Sequence, residues 1–169
     1  MSVPDSRGSS TGDDGESVAG EAAHDGGGLP AVTVRDGAER ATVEGRRLRE
    51  MDRERIEREY LCASGERWGG VWRGVPVAAV LEEVAIGEDG GATHLRVAAA
   101  GDYAVCVPVA TAMEAHLAVE RDGDVLPSER GPRFLARVDA GKTVKAVREL
   151  ELLRLDPSED PQDYENLGY

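Results

Sequence analysis

Cysteine, lysine, phenylalanine and histidine are all scarce in this chain of 169 residues, with 2, 2, 1 and 3 copies. Two cysteines cannot build the disulfide framework of a small secreted fold, and their shortage agrees with a reducing compartment. No Cys-x-x-Cys pair and no histidines at helical spacing occur, so a structural zinc site lacks its ligands. No Gly-x-Ser-x-Gly occurs, and Ser64, Ser128 and Ser158 have no histidine near them in sequence. No apolar run approaches the roughly 18 residues of a membrane-spanning helix. The opening MSVPDSRGSS has no basic start followed by an apolar stretch, and no apolar segment follows the twin arginine Arg46–Arg47. No secretory signal is therefore expected, and the sequence reads as cytoplasmic and unattached to membranes.

Positive charge is also short, at 20 basic residues against 33 acidic ones, but the deficit is uneven. Residues 1–28 carry a net of −5 and residues 156–169 another −5, whereas residues 29–155 hold 22 acids against 19 bases. Acidic tails flank a nearly balanced body. Such tails keep a protein solvated and discourage nucleic-acid binding, which needs clustered Lys and Arg. A basic electron carrier could also be steered by them, although solvation is the simpler reading.

Three regions follow from the composition. Residues 1–28 are rich in Gly, Ser and acids, bury too little apolar surface to offset ordering entropy, and are expected to be disordered, with His24 inside them. Residues 156–169, DPSEDPQDYENLGY, form an acidic tail or a loosely docked strap. Between them, residues 29–155 read as an α+β domain with mixed or antiparallel sheets and a few short helices. VTVRDG alternates and stops at a turn dipeptide, and RRLREMDRERIEREY reads as a short helix or turn running into an extended stretch that ends at Tyr60–Leu61–Cys62. VPVAAVLEEVAI has helical spacing at Val77, Val80, Leu81 and Val84, with Pro76 at its entry. Strands flank Gly101–Asp102, and a short helix and strand lead to the turn Asp122–Gly123. RGPRFLARVDAGKTVKAVRELELLRL reads as a hairpin turning at Asp139–Lys142. Within it DAGKTVK mimics a phosphate loop, but Ala136 stands where that motif needs glycine.

Cys62 is the residue that asks for a role. A thiolate is a soft metal ligand. Nearby Arg67 or a backbone nest would favour its deprotonation, and the turn Ala63–Ser64–Gly65 lets a bulky group approach. The alternative is a small buried hydrophobe, which is how free cysteines usually end up. The glycines between Trp68 and Trp72 suggest a loop in which both indoles wall the turn or simply pack in the core. His94 and His116 read as surface or half-buried imidazoles.

The order of these segments resembles the molybdopterin-binding domain of the sulfite oxidase family, especially its short stand-alone members. The resemblance rests on Cys62, Ala63 and Gly65, then Trp72, Gly74, Val75, Pro76 and Leu81, then GDY at Gly101–Tyr103. It continues through Val107–Val109, the LAVERDGDVLP segment, Gly131, Pro132 and Arg133, and ends at Val144, Lys145 and Val147. It implies molybdenum–molybdopterin as cofactor, with Cys62 as the metal's thiolate ligand and Arg133 and Lys145 binding the pterin and its phosphate. Arg67, five places after the cysteine, would be a catalytic residue holding an anionic small-molecule substrate. The implied activity is oxygen-atom or two-electron transfer, with electrons passed to a separate partner, since no haem or iron–sulfur motif occurs. Departures are Arg130 where members often carry His, Val119 where sulfite oxidases carry Tyr, and no match for the N-terminal region, with its histidine, of larger members. The alternative is a non-catalytic binding or assembly module that keeps the fold without the cofactor.

Overall fold

A computed structural model describes residues 28–62, 64–138 and 142–168. The expected disorder of the N-terminal tail, including His24, thus concerns residues outside the described ones, apart from Gly28. Among these described residues, ten strands, three short helices and one 3-10 turn form an α+β arrangement of two sheets. In the first sheet, β1 (Val32–Asp36) and β2 (Glu39–Val43) form an antiparallel pair, and β1 lies parallel to β10 (Val147–Leu153). Next to β10 come β5 (His94–Ala99) and β6 (Ala104–Pro108), both antiparallel. Period-2 burial explains β1: Val32 and Val34 are fully buried while Thr33 and Arg35 are not. Three residues of β6 in succession, Val105, Cys106 and Val107, are buried, so this strand is covered on both faces.

The second sheet runs β3 (Glu54–Leu61), β4 (Arg67–Pro76), β7 (His116–Arg121) and β8 (Asp124–Val125), with β9 (Arg133–Leu135) also on β7. One core is shared between the sheets: Val32, Leu95 and Leu150 of the first pack in the same cluster as Val75, Leu117 and Phe134 of the second. A smaller cluster beneath the second sheet holds Ile56, Tyr60, Trp72 and Leu135. Helix α1 (Gly45–Glu50) buries Leu48, α2 (Val77–Val84) buries Val77 and Val80, and α3 (Val109–Met113) buries Ala112. Pro76 stands just before α2 as its cap residue, with extended backbone, which suits a residue that lacks a backbone N–H.

Two expectations need correction. β9 and β10 do not form a hairpin: after Leu135 the chain crosses from the second sheet to the first, and only the pair Phe134 and Val144 bridges antiparallel before it leaves. Two strands that both want burial found different partners, β7 for one and β1 with β5 for the other; residues 139–141 of the expected turn lie outside the described ones. Trp68 and Trp72 are not on a loop either. Their glycines sit inside β4, where Gly69 lies so close to β3 that a Cβ would come 2.1 Å from the Arg58 carbonyl oxygen. Glycine there permits a tight strand pair rather than a bend.

The chain after β10 lies across the first sheet. Asn166 bridges Ala104 of β6, the Glu165 carboxylate accepts the Cys106 N–H at 2.8 Å, and Lys142 reaches the same carboxylate at 3.2 Å. These bonds satisfy the outer edge of β6.

Candidate functional site

β3 and β4 form a hairpin, and Cys62 is the first residue past β3. Its N–H donates to the Glu66 carbonyl at 2.8 Å, and its own carbonyl accepts the Gly65 N–H at 2.8 Å. Gly65 closes the turn with φ +91°, a left-handed conformation that favours glycine. The turn holds Cys62 half-buried on the wall of a cavity of about 890 Å³. Around the same cavity stand Trp68 from β4, Tyr103 from the β5–β6 connection and Arg121 from the end of β7. Glu129, Arg133 of β9, and Thr143 and Lys145 ahead of β10 complete the part that matters here. Both sheets therefore contribute, and residues 62, 133 and 145, far apart in sequence, meet at one opening.

Strand alternation decides which hairpin residues belong. Arg67 pairs with Leu61 at the turn end of the hairpin, and both are exposed. Its neighbour Trp68 points the other way, into the cavity, because successive strand residues face opposite sides. Arg67 is not among the residues lining the cavity, so the structure does not place it with Cys62, Arg133 and Lys145. Arg121 occupies the cavity instead. Its position was missed in the sequence because RDGD reads only as a turn.

An aromatic layer supports the arginines. Tyr60 stacks on Trp68 with ring centroids 4.6 Å apart, and Trp68 meets Trp72 edge-on at 6.4 Å. The Arg133 guanidinium lies 4.2 Å from the Trp68 centroid and 5.7 Å from that of Trp72. Arg121 lies 4.9 Å from Trp72. A cation over an indole face is attracted by the ring quadrupole. Arg133 also donates to the Thr143 hydroxyl at 3.2 Å, yet its Nε is buried without an acceptor. Burial first, then the charges of Arg121 and Arg130, push its pKa down to about 10, against the opposing pull of Tyr60 and Tyr103. This guanidinium is desolvated and makes no ion pair with a carboxylate among the described residues.

The two cysteines differ in kind. Cys106 is 3% exposed inside β6, and burial, followed by the Glu165 charge, pushes its thiol up to about 11. At pH 8 roughly one Cys106 in a thousand would be thiolate. Iodoacetamide at pH 8 is expected to label Cys62 alone in the folded protein and both residues in denaturant, read by peptide mass spectrometry. Equal labelling of Cys106 in the folded chain would contradict this burial.

Among the described residues no group of three or more His, Cys, Asp or Glu could hold a metal ion. A metal at Cys62 therefore needs most of its ligands from a bound organic group, and the donor set fits one that brings its own sulfurs and a phosphate. Cys62 lines a cavity large enough for a small heterocycle, and Arg121, Arg133 and Lys145 supply the cations a phosphate requires. Fold and cavity together define a cofactor-binding domain with a single protein thiol and a cationic wall. Residues 33–160 match the oxidoreductase molybdopterin binding domain family. The chain belongs to that family, a sulfite oxidase-like molybdopterin-binding domain whose cofactor is molybdopterin. Among solved structures it is similar to the sulfane dehydrogenase SoxCD from Paracoccus pantotrophus, with a TM-score of 0.67 at 16% identity. That match covers 77% of this chain and 39% of the other, so this chain spans well under half of SoxCD's matched chain. No curated protein matches the sequence. No helix among the described residues is long and apolar enough to cross a membrane.

Proposed function

We propose that the chain is a molybdopterin-dependent oxidoreductase domain in which Cys62 ligates the metal and Arg133 and Lys145 hold the pterin and its phosphate. The observation that supports this reading most is Cys62 on the wall of a cavity whose other walls carry Arg121, Arg133 and Lys145. When bound, the group supplies two-electron redox chemistry at the metal, and the protein supplies binding and orientation. Arg133, fixed by Thr143 and stacked on Trp68, is pre-oriented to donate two parallel bonds to a phosphate. Lys145 is exposed at the cavity rim and acts as a mobile point charge. Trp68 and Tyr60 shield one wall from water, which strengthens every ionic contact inside. Electrons would leave through a separate partner.

One observation favours the second reading, a binding or assembly module without catalysis. Val119, which stands where sulfite oxidases have tyrosine, is fully buried in the main core and is not among the residues lining this cavity. Protein made in a molybdopterin-producing host separates the two readings. The wild type should contain about one molybdenum per chain by elemental analysis, and X-ray absorption of Cys62→Ser should show one sulfur neighbour fewer around the metal. A metal-free wild type would support the module, and an unchanged sulfur shell would remove Cys62 from the ligand set.

A further inference from the structure

We propose that Glu165 is a positioning residue of the cavity: acting through Lys142 from the strap on β6, its carboxylate holds the segment that carries Thr143 and Lys145. The inference rests on the molybdopterin reading for what the cavity binds, but its first test needs no cofactor. The strap is fixed at several points. Asn166 exchanges two backbone hydrogen bonds of 2.8 Å with Ala104, the Tyr164 carbonyl accepts from Arg96 Nε at 2.9 Å, and Leu167 packs on the main core. Glu165 is turned inward, its side chain only 5% exposed. A carboxylate so buried needs both hydrogen bonds and a counter-charge. The Cys106 N–H supplies the first, and Lys142 Nζ, 3.2 Å from Oε2, supplies the second. Lys142 is not on the cavity wall, but the next residue is. Thr143 lines the cavity and accepts the Arg133 guanidinium at 3.2 Å, and Arg133 lies over Trp68. Lys145 and Ala146 follow on the same wall. Residues 142–146 belong to no named strand and reach the rest of the fold through Val144 to Phe134 and Ala146 to the Arg130 carbonyl. Glu165 thus anchors, from outside, a chain of contacts that runs through Lys142, Thr143 and Arg133 to Trp68 inside the cavity.

Glu165→Gln separates the two bonds, because an amide oxygen still accepts the Cys106 N–H while the charge that holds Lys142 is gone. Amide hydrogen exchange of the cofactor-free protein, read by mass spectrometry, is the first measurement. In Glu165→Gln and in Lys142→Met, residues 142–146 should exchange about fivefold faster than in wild type, as expected for losing one partly screened charge-assisted bond. The double variant should exchange no faster than either single one, and Lys142→Arg should stay near wild type. Exchange of residues 161–167 should not change, and iodoacetamide should still spare Cys106. In loaded protein both single variants should lose molybdenum faster than wild type on dialysis, whereas Lys142→Arg should retain it. Unchanged exchange at 142–146, effects that add in the double variant, or a strap loosened together with the segment would each overturn the proposal. Faster exchange with unaltered molybdenum retention would also overturn it, because the cavity would then not depend on the segment. If Glu165→Gln does not fold, Lys142→Met and Lys142→Arg carry the same decision. A wild type that never loads molybdenum would remove the cofactor reading, and the exchange measurements would still decide whether Glu165 holds the segment.

Discussion

Trp72→Ala is expected to destabilise the protein by about 3–5 kcal/mol, the range for emptying a fully buried indole. Trp72 is 1% exposed, and it heads the fully buried side chains by volume. It packs in the small cluster with Ile56, Tyr60 and Leu135 and meets Trp68 edge-on. Both Arg121 and Arg133 rest against its ring, so the substitution also removes the floor of the cationic wall. Urea unfolding followed by far-UV circular dichroism avoids relying on the fluorescence that the variant alters. Trp68→Ala, at a half-buried ring, should cost clearly less. A Trp72→Ala loss below about 1 kcal/mol would mean that the indole is not packed as described.

Arg133→Met should do the opposite and stabilise the cofactor-free chain, by on the order of 1–3 kcal/mol. Burial holds the Arg133 pKa at about 10 in the folded chain, well below that of the free side chain. A cation whose folded pKa is depressed costs stability at every pH below the folded value. As pH rises through 10 towards the higher pKa of the free side chain, the unfolded chain binds more protons than the folded one, and the cost fades. Methionine keeps the apolar stem and drops the charge, although the stacking on Trp68, worth about 1 kcal/mol, is lost with it. Compared by urea titration at pH 7 and pH 10.5, the advantage of the variant should be full at the lower value and smaller at the higher. A variant less stable than wild type at pH 7 would show that Arg133 is held by interactions stronger than its desolvation. In the loaded protein the same substitution should weaken cofactor retention, because Arg133 is a cavity-lining cation proposed to meet the phosphate.

These two side chains also show why the fold was more legible than the site. The strand β3 leading to Cys62, the helix after Pro76, the strand pair around Gly101–Asp102 and the turn Asp122–Gly123 are written in local alternation, spacing and turn residues, and all four are present. Arg121 carries no such local signal. Its side chain enters the cavity because β7 pairs with β4, which sets its distance from Trp72 and the Gly69 carbonyl. Arg67 has the right offset from Cys62, yet strand alternation turns it away while Trp68 turns in.

Alone, the sequence determined most of the strands and helices and the kinship with molybdopterin-binding domains, because turn residues, periodicity and motif order act over a few residues. Only the tertiary structure decided that β9 and β10 part into different sheets, that the last residues strap β6 through Glu165, and that Arg121 rather than Arg67 joins Arg133 and Lys145 at the cavity. Each of these depends on which strands compete for one another across long stretches of chain, and that competition is settled by burial of whole faces rather than by any short segment.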